Sequence, residues 1–140
     1  MVNDRNQWKL DALTSKYGIK TSLNQHDVMQ SCEIIFVAVK PFYMNGVLDN
    51  VKDKVTKEHL IVSVAAGYSL DQMAEHLPPE TRIVRVMPNT PSAIGEGVLP
   101  FVATMDVDDE RLQLTHELLG TCGEAMLMAK EAYIDVDPVT

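Results

Sequence analysis

Cysteine is scarce, with only Cys32 and Cys122 among 140 residues. Two cysteines are too few for a disulfide framework, and no Cys/His spacing marks a zinc site. They read as reduced thiols, and no metal is expected. No apolar run approaches the roughly 18 residues that a membrane helix needs. The opening segment MVNDRNQWKLD is polar and charged, unlike a secretory signal. These gaps lead to an expected cytoplasmic protein with no membrane partner. Cations are in deficit too: 12 Lys and Arg against 20 Asp and Glu give a net charge of −8. Non-specific nucleic-acid binding needs clustered Lys and Arg, so nucleic acid is not an expected partner. A small anionic ligand stays compatible, since a few local cations or helix N-termini suffice for it.

What is present is a balanced globular composition, 46% hydrophobic and 23% charged, over a length typical of one domain. Strand and helix patterns alternate. NDRNQWKLDALTSKYG reads as a helix capped by Asn3 or Asp4 and stopped by Gly18. IKTS is a short strand, and LNQHDVMQSC a helix with Asn24 as a possible cap. EIIFVAV and HLIVSVAAG are nearly continuous apolar runs, as in strands buried on both faces of a parallel sheet. FYMNGVLDNVKDKV is helical, with Met44, Val47, Leu48 and Val51 on one face. SLDQMAEHL opens on Ser69 at a cap position. TRIVRVM is a third apolar strand and GVLPFVATM a candidate fourth. DVDDERLQLTHELLGTCG is a helix with an acidic first turn; Leu114 with Leu118, and Leu112 with Leu119, give it an apolar side. EAMLMAK is a last strand. The four histidines, His26, His59, His76 and His116, fall in helix or turn patterns and read as surface residues.

This rhythm predicts an α/β fold, a Rossmann-like doubly wound and mostly parallel sheet. Ligands of such sheets bind beyond the carboxyl ends of the strands. Three loops stand there: AVKP, AAG and MPNTP. Each has small residues that let a ligand approach the backbone, or prolines that fix the turn. Three such loops at consecutive strand ends point to a ligand crevice.

The segments IIFVAVKP (34–41), LIVSVAAGYSLDQMA (60–74) and VRVMPNTPSAIGEGV (84–98), in this order and spacing, closely resemble pyrroline-5-carboxylate reductase. The resemblance runs over all 140 residues. It implies NAD(P)H-dependent reduction of 1-pyrroline-5-carboxylate to proline, the last step of proline biosynthesis, with NADPH or NADH as cofactor. It also implies a homo-oligomeric parent enzyme. The family's nucleotide domain opens with a strand and a G-x-G-x-x-G turn, which this sequence does not contain. The chain therefore reads as a single, incomplete NAD(P)-binding domain over 1–140, truncated at its N-terminus. On this reading it ends at DPVT, where the family's helical dimerisation domain would begin, and the chain alone is not expected to be active.

Site residues follow from the same resemblance. Asn3, Asp4 and Arg5 stand where the family meets the adenosine ribose and its 2′-phosphate. A guanidinium suits bidentate pairing with phosphate, although Arg5 also fits a solvated first turn. Asn24 and Gln25 fall near an adenosine-side position, and Asn24 could equally cap its helix. Ala38, Val39, Lys40 and Pro41 match the loop beside the cofactor, with Lys40 a positioning or phosphate-side residue rather than a catalytic one. Val64, Ala65 and Ala66 face the nicotinamide end. Met87, Pro88, Asn89, Thr90 and Pro91 lie beside the nicotinamide. Asn89 and Thr90 are the nicotinamide- or substrate-side candidates, and no residue is assigned as certainly catalytic. Glu96 is a hinge contact or a turn residue. A protonated cyclic imine accepts hydride directly, so geometry and a dry pocket matter more than acid–base groups. Two other readings stand beside this one. The chain could be a non-catalytic nucleotide-binding remnant or assembly module. It could also be another imine or β-hydroxyacid reductase, against which MPNTPSAIGEG weighs.

Overall fold

The computed structural model describes residues 1–134. The elements run in the order β1 (Val2–Asn3), α1 (Gln7–Tyr17), β2 (Thr21–Ser22), α2 (Gln25–Ser31), β3 (Ile34–Val37) and α3 (Pro41–Val51). There follow β4 (Leu60–Ser63), α4 (Leu70–Glu75), β5 (Arg82–Val86), β6 (Gly97–Ala103), α5 (Asp109–Gly120) and β7 (Gly123–Leu127). Short 3-10 turns occupy Lys52–Lys54, Thr90–Ile94 and Glu131–Tyr133. The DPVT ending lies outside the described residues.

The strands form two sheets. β3-β4-β5-β6-β7 make the larger one, and β1 pairs with β2 in a separate parallel ladder. The pairings β3–β4, β4–β5 and β6–β7 are parallel, and β5–β6 is antiparallel. The sheet is thus α/β and mostly parallel. The single reversal has a local cause. Parallel pairing needs a crossover of a dozen or more residues, usually helical. Only a 3-10 turn separates β5 from β6, so the chain folds straight back.

Alternation along the central strands feeds two cores. Ile61 and Ile83 face one layer with Met29, Met44, Leu48 and Met73, which come from α2, α3 and α4. Leu60, Val62, Val84 and Val86 face the other, against Leu99, Phe101, Leu112 and Leu119. Helices therefore cover both faces, as doubly wound sheets require. β4 is buried at all four positions, as its continuous apolar run predicts.

Several expectations are corrected. β3, an edge strand of the larger sheet, is well covered on one face only: Ile35 and Val37 enter the first core, while Phe36 on the opposite face is 46% exposed. α1 begins after Asn6, not at Asn3 or Asp4: Asn3 belongs to β1, and the Asp4 carboxylate accepts the Asn6 N–H at 2.8 Å. On α5 the inward side is Leu112, Thr115 and Leu119, while Leu114 and Leu118 are each more than a third exposed. The buried Thr115 hydroxyl donates to the Arg111 carbonyl at 2.8 Å, which satisfies it within the helix. His59 is buried rather than superficial. Its Nδ1 accepts the Thr56 N–H at 2.9 Å, so Nε2 carries the proton and donates to the Met29 carbonyl at 2.7 Å. That ring fastens the loop before β4 to α2.

Candidate functional site

β3, β4 and β5 run parallel, so their following loops gather at one end of the sheet. The loop after β3 exposes Ala38 and Lys40 and half-buries Val39. Lys40 is then the N-cap of α3, with Pro41 in the first turn. The loop after β4 continues the ladder, because the Val64 N–H reaches the Val37 carbonyl at 3.4 Å. Ala65 is buried, with its N–H on the Ser63 hydroxyl at 3.1 Å, while Ala66 and Gly67 turn outward. Gly67 has φ +68°, a left-handed conformation that a side chain disfavours.

Two anchors hold that second loop. The buried Tyr68 hydroxyl donates to Asn45 Oδ1 on α3. Burial first, then the Asp49 and Glu75 carboxylates, push the Tyr68 phenol above its ordinary value, which keeps it a donor. The Glu131 carboxylate accepts the Leu70 N–H at 2.8 Å and pairs with Arg85 at 3.2 Å. Arg85 is almost fully buried in β5, so Glu131 links the second loop to the third strand.

The MPNTP loop is the most constrained of the three. The Met87 N–H donates to the Pro100 carbonyl at 3.0 Å, and Asn89 Oδ1 accepts the Val98 N–H at 3.0 Å. Asn89 thus spends its amide oxygen on closing the β5–β6 hairpin. Thr90 is exposed and Pro88 half-buried. Gly97 permits a close approach, since a Cβ there would fall within 3 Å of Ser92. Its register partner Gly123 has φ +145°, and a Cβ there would collide with the Gly97 backbone. Exposed Glu96 lies in the turn, with its N–H on the Pro91 carbonyl at 3.0 Å.

The adenosine-side candidates divide. Asn3 Nδ2 donates to the Ser22 carbonyl at 3.0 Å and braces β1 on β2. Gln25 Oε1 accepts from Asn50 at 2.7 Å, in the seam between α2 and α3. Asn24 caps α2 through the His26 N–H at 3.0 Å. Arg5 is exposed, and its guanidinium lies over the Tyr43 ring, 5.1 Å from the centre. That contact brings the end of β1 to the loop after β3. Phe42 and Tyr43 are residues that the sequence reading passed over. Two aromatics directly after AVKP, at the first turn of a helix, were the available signal.

Helix capping separates the site from the rest. α2, α4 and α5 each have a side-chain cap: Asn24, the Ser69–Gln72 capping box and Asp108. α1 and α3 have none, and neither has an acid in its first turn. α3 starts directly after Lys40, and α1 starts two residues after Arg5. Uncapped N-terminal N–H groups and the positive dipole end favour an anion there. A phosphate-bearing ligand fits the residues present, with two cations, two uncapped helix starts and small residues at Ala38 and Ala66. Among the described residues, no group of His, Cys, Asp and Glu is arranged to hold a metal ion, and no helix is long and apolar enough to cross a membrane. Two shallow surface concavities lie away from these three loops, one along α1 at Trp8, Leu13 and Tyr17, the other at Met105, Leu112 and Leu127.

A family model described as NADP oxidoreductase coenzyme F420-dependent matches residues 1–67. Pyrroline-5-carboxylate reductase 3 of Rattus norvegicus is 40% identical over 119 residues, which cover 85% of this chain and 43% of that protein. The structure of a pyrroline-5-carboxylate reductase from Coxiella burnetii superposes with a TM-score of 0.91 at 30% identity, over 95% of this chain and 50% of the other. The Plasmodium falciparum pyrroline carboxylate reductase with NADP bound gives a TM-score of 0.78 at 25% identity, over 84% of this chain and 45% of the other. The chain spans half or less of the length of each of these proteins. Over most of its length the chain is thus a homologue of pyrroline-5-carboxylate reductases, matching their N-terminal nucleotide-binding part.

Proposed function

We propose that this chain is the NAD(P)-binding domain of a pyrroline-5-carboxylate reductase, with NADPH as preferred cofactor and 1-pyrroline-5-carboxylate as substrate. The observation that carries the reading is the pair of uncapped helix starts behind Arg5 and Lys40, linked by the contact of Arg5 with Tyr43 on α3. The Plasmodium relative with NADP bound supports the choice of cofactor class.

Arg5 pairs the adenosine 2′-phosphate, and the α3 start with Lys40 meets the bridging phosphates. Asn3 and Asp4 lie on the adenosine side, with Gln25 behind them. Val39 and Pro41 shape the wall beside the cofactor. Val64, Ala65 and Ala66 give the nicotinamide end an approachable backbone. Pro88, Asn89 and Thr90 stand where the imine would lie, with Thr90 offering a hydroxyl and Asn89 its amide nitrogen. A dihydronicotinamide bound there would supply hydride to the carbon of the protonated C=N bond, whose nitrogen would become the secondary amine of proline. The chain's own part is to hold that geometry and keep water out. A cytoplasmic location and a homo-oligomeric parent enzyme belong to the same reading.

Titration of the purified chain with NADPH and with NADH, followed by nicotinamide fluorescence and Trp8 emission, tests it. Saturable binding that is tighter for NADPH supports the reading. No binding at millimolar cofactor overturns the autonomous domain and favours an assembly module. That second reading draws on residues 1–22, none of which enters either core cluster.

A further inference from the structure

The segment after β1 and the first turn of α3 are joined by a stack of three side chains. Arg5 follows β1, and its guanidinium lies 5.1 Å from the Tyr43 ring centre on α3. Phe42 meets Tyr43 edge-on, with ring centres 5.3 Å apart and planes at 86°. Phe42 is 88% exposed and Tyr43 43% exposed, so neither ring serves the core. Two adjacent aromatics thus stand exposed on the first turn of α3, one of them beneath a guanidinium.

We propose that Tyr43, braced by Phe42, is a positioning residue that holds Arg5 ready for the 2′-phosphate of a 2′-phosphorylated adenosine. This rests on the cofactor reading above and adds a specificity element from α3, beyond the β1 loop. A guanidinium resting on a ring gives up only its face. Its N–H donors point outward in its own plane, where a phosphate pairs with them. The stack also limits the rotamers of a long exposed side chain, so less freedom is lost when the anion arrives. The neighbouring carboxylate does not compete: Asp4 is turned to the Asn6 N–H, and Arg5 forms no ion pair among the described residues. The uncapped start of α1 lies on the same side of Arg5 in sequence and adds its dipole.

The test uses the 140-residue chain and two small probes, 2′,5′-ADP and 5′-AMP, measured by calorimetry on wild type, Tyr43→Ala and Tyr43→Phe. The measured quantity is the affinity ratio between the probes. Tyr43→Ala is expected to lower that ratio about two- to fivefold, mostly through 2′,5′-ADP, while Tyr43→Phe keeps it. The Arg5 Nε–Hε resonance supplies a ligand-independent readout, and should lose its ring-current shift in Tyr43→Ala only. An unchanged ratio in Tyr43→Ala overturns the positioning role while leaving the cofactor reading standing. Failure of wild type to bind either probe overturns both.

Discussion

The β1–α1–β2 unit and the five-stranded sheet are built from similar materials to opposite ends. In the sheet, β4 is buried throughout, and the side chains of β5 divide between two apolar layers. In the N-terminal unit, two two-residue strands pair, α1 buries Leu10 alone, and Trp8 and Tyr17 stand 69% and 61% exposed. Helix starts differ in the same sense. Of the four helices that pack on the sheet, α2, α4 and α5 close their N-termini with side chains, whereas α1 and the shared helix α3 leave theirs open. One region gets its order from burial. The other holds cationic and aromatic groups at a surface and relies on a few polar braces, among them Asn3 to Ser22. Stability and recognition are therefore kept largely apart, and α3 belongs to both, with Leu48 in the core and Tyr43 beside Arg5.

The contrast can be broken most severely in the core. Phe101→Ala is expected to cost about 3–5 kcal/mol by urea unfolding, against under about 1 kcal/mol for Val2→Ala, whose side chain is half-exposed. Comparable costs would mean that both regions share one cooperative core. Ser69→Ala should lose about 1 kcal/mol by removing the capping box on α4. Asn6→Ala should leave thermal stability nearly unchanged, because Asn6 makes no capping bond. A matching loss at Asn6 would remove the argument that α1 is left open. Native-state hydrogen exchange sharpens the same point: amides of β4 should exchange only through global unfolding, and those of β1 and β2 through much smaller local openings.

The gentlest probe is pH. The Arg111 backbone N–H at 2.8 Å, joined by the Arg111 side chain and the charges of Arg111 and Arg82, outweighs the opposing effect of burial and holds the Asp108 carboxyl below its ordinary value. Its folded-state pKa is depressed, so its support of α5 is fully present above the usual carboxylate range. That support fades as pH falls through the folded value. Asp108→Asn, which retains a capping oxygen, should flatten this acid-side loss, as a melting-temperature profile would show.

Much of the fold was legible because it depends on local pattern. Continuous apolar runs marked β4 and β5, and Gly18, Asn24 and Ser69 marked helix ends through their own backbone chemistry. Long-range choices were less visible. Nothing in IIFV tells that only one face of β3 is well covered, so Phe36 was wrongly placed inside. The reversal at β6 was recoverable, since too few residues separate VRVM from GVLPF for a helical crossover. His59 was missed because the Met29 carbonyl, 30 residues away in sequence, becomes its neighbour only after folding. At the site, the loops AVKP, AAG and MPNTP were found by their small residues and prolines. The bond from Asn89 to the Val98 N–H could not be, because it depends on hairpin register.

That register puts Gly97 opposite Gly123, and the pair bears on how sequence variation here should be read. A side chain at 123 would strike the backbone of residue 97, so no substitution at 97 could relieve it. A side chain at 97 would strike Ser92, at its Cα as well as its side chain. A saturation library scored for folded protein should show two intolerant columns here, ten residues after MPNTP begins and again where β7 starts. Intolerance of this kind reports backbone contact rather than chemistry. Assigning catalytic roles by invariance would misplace both glycines, whereas the exposed Phe42 and Tyr43 would tolerate substitution and, on the positioning role proposed above, show themselves only when the library is scored for cofactor discrimination.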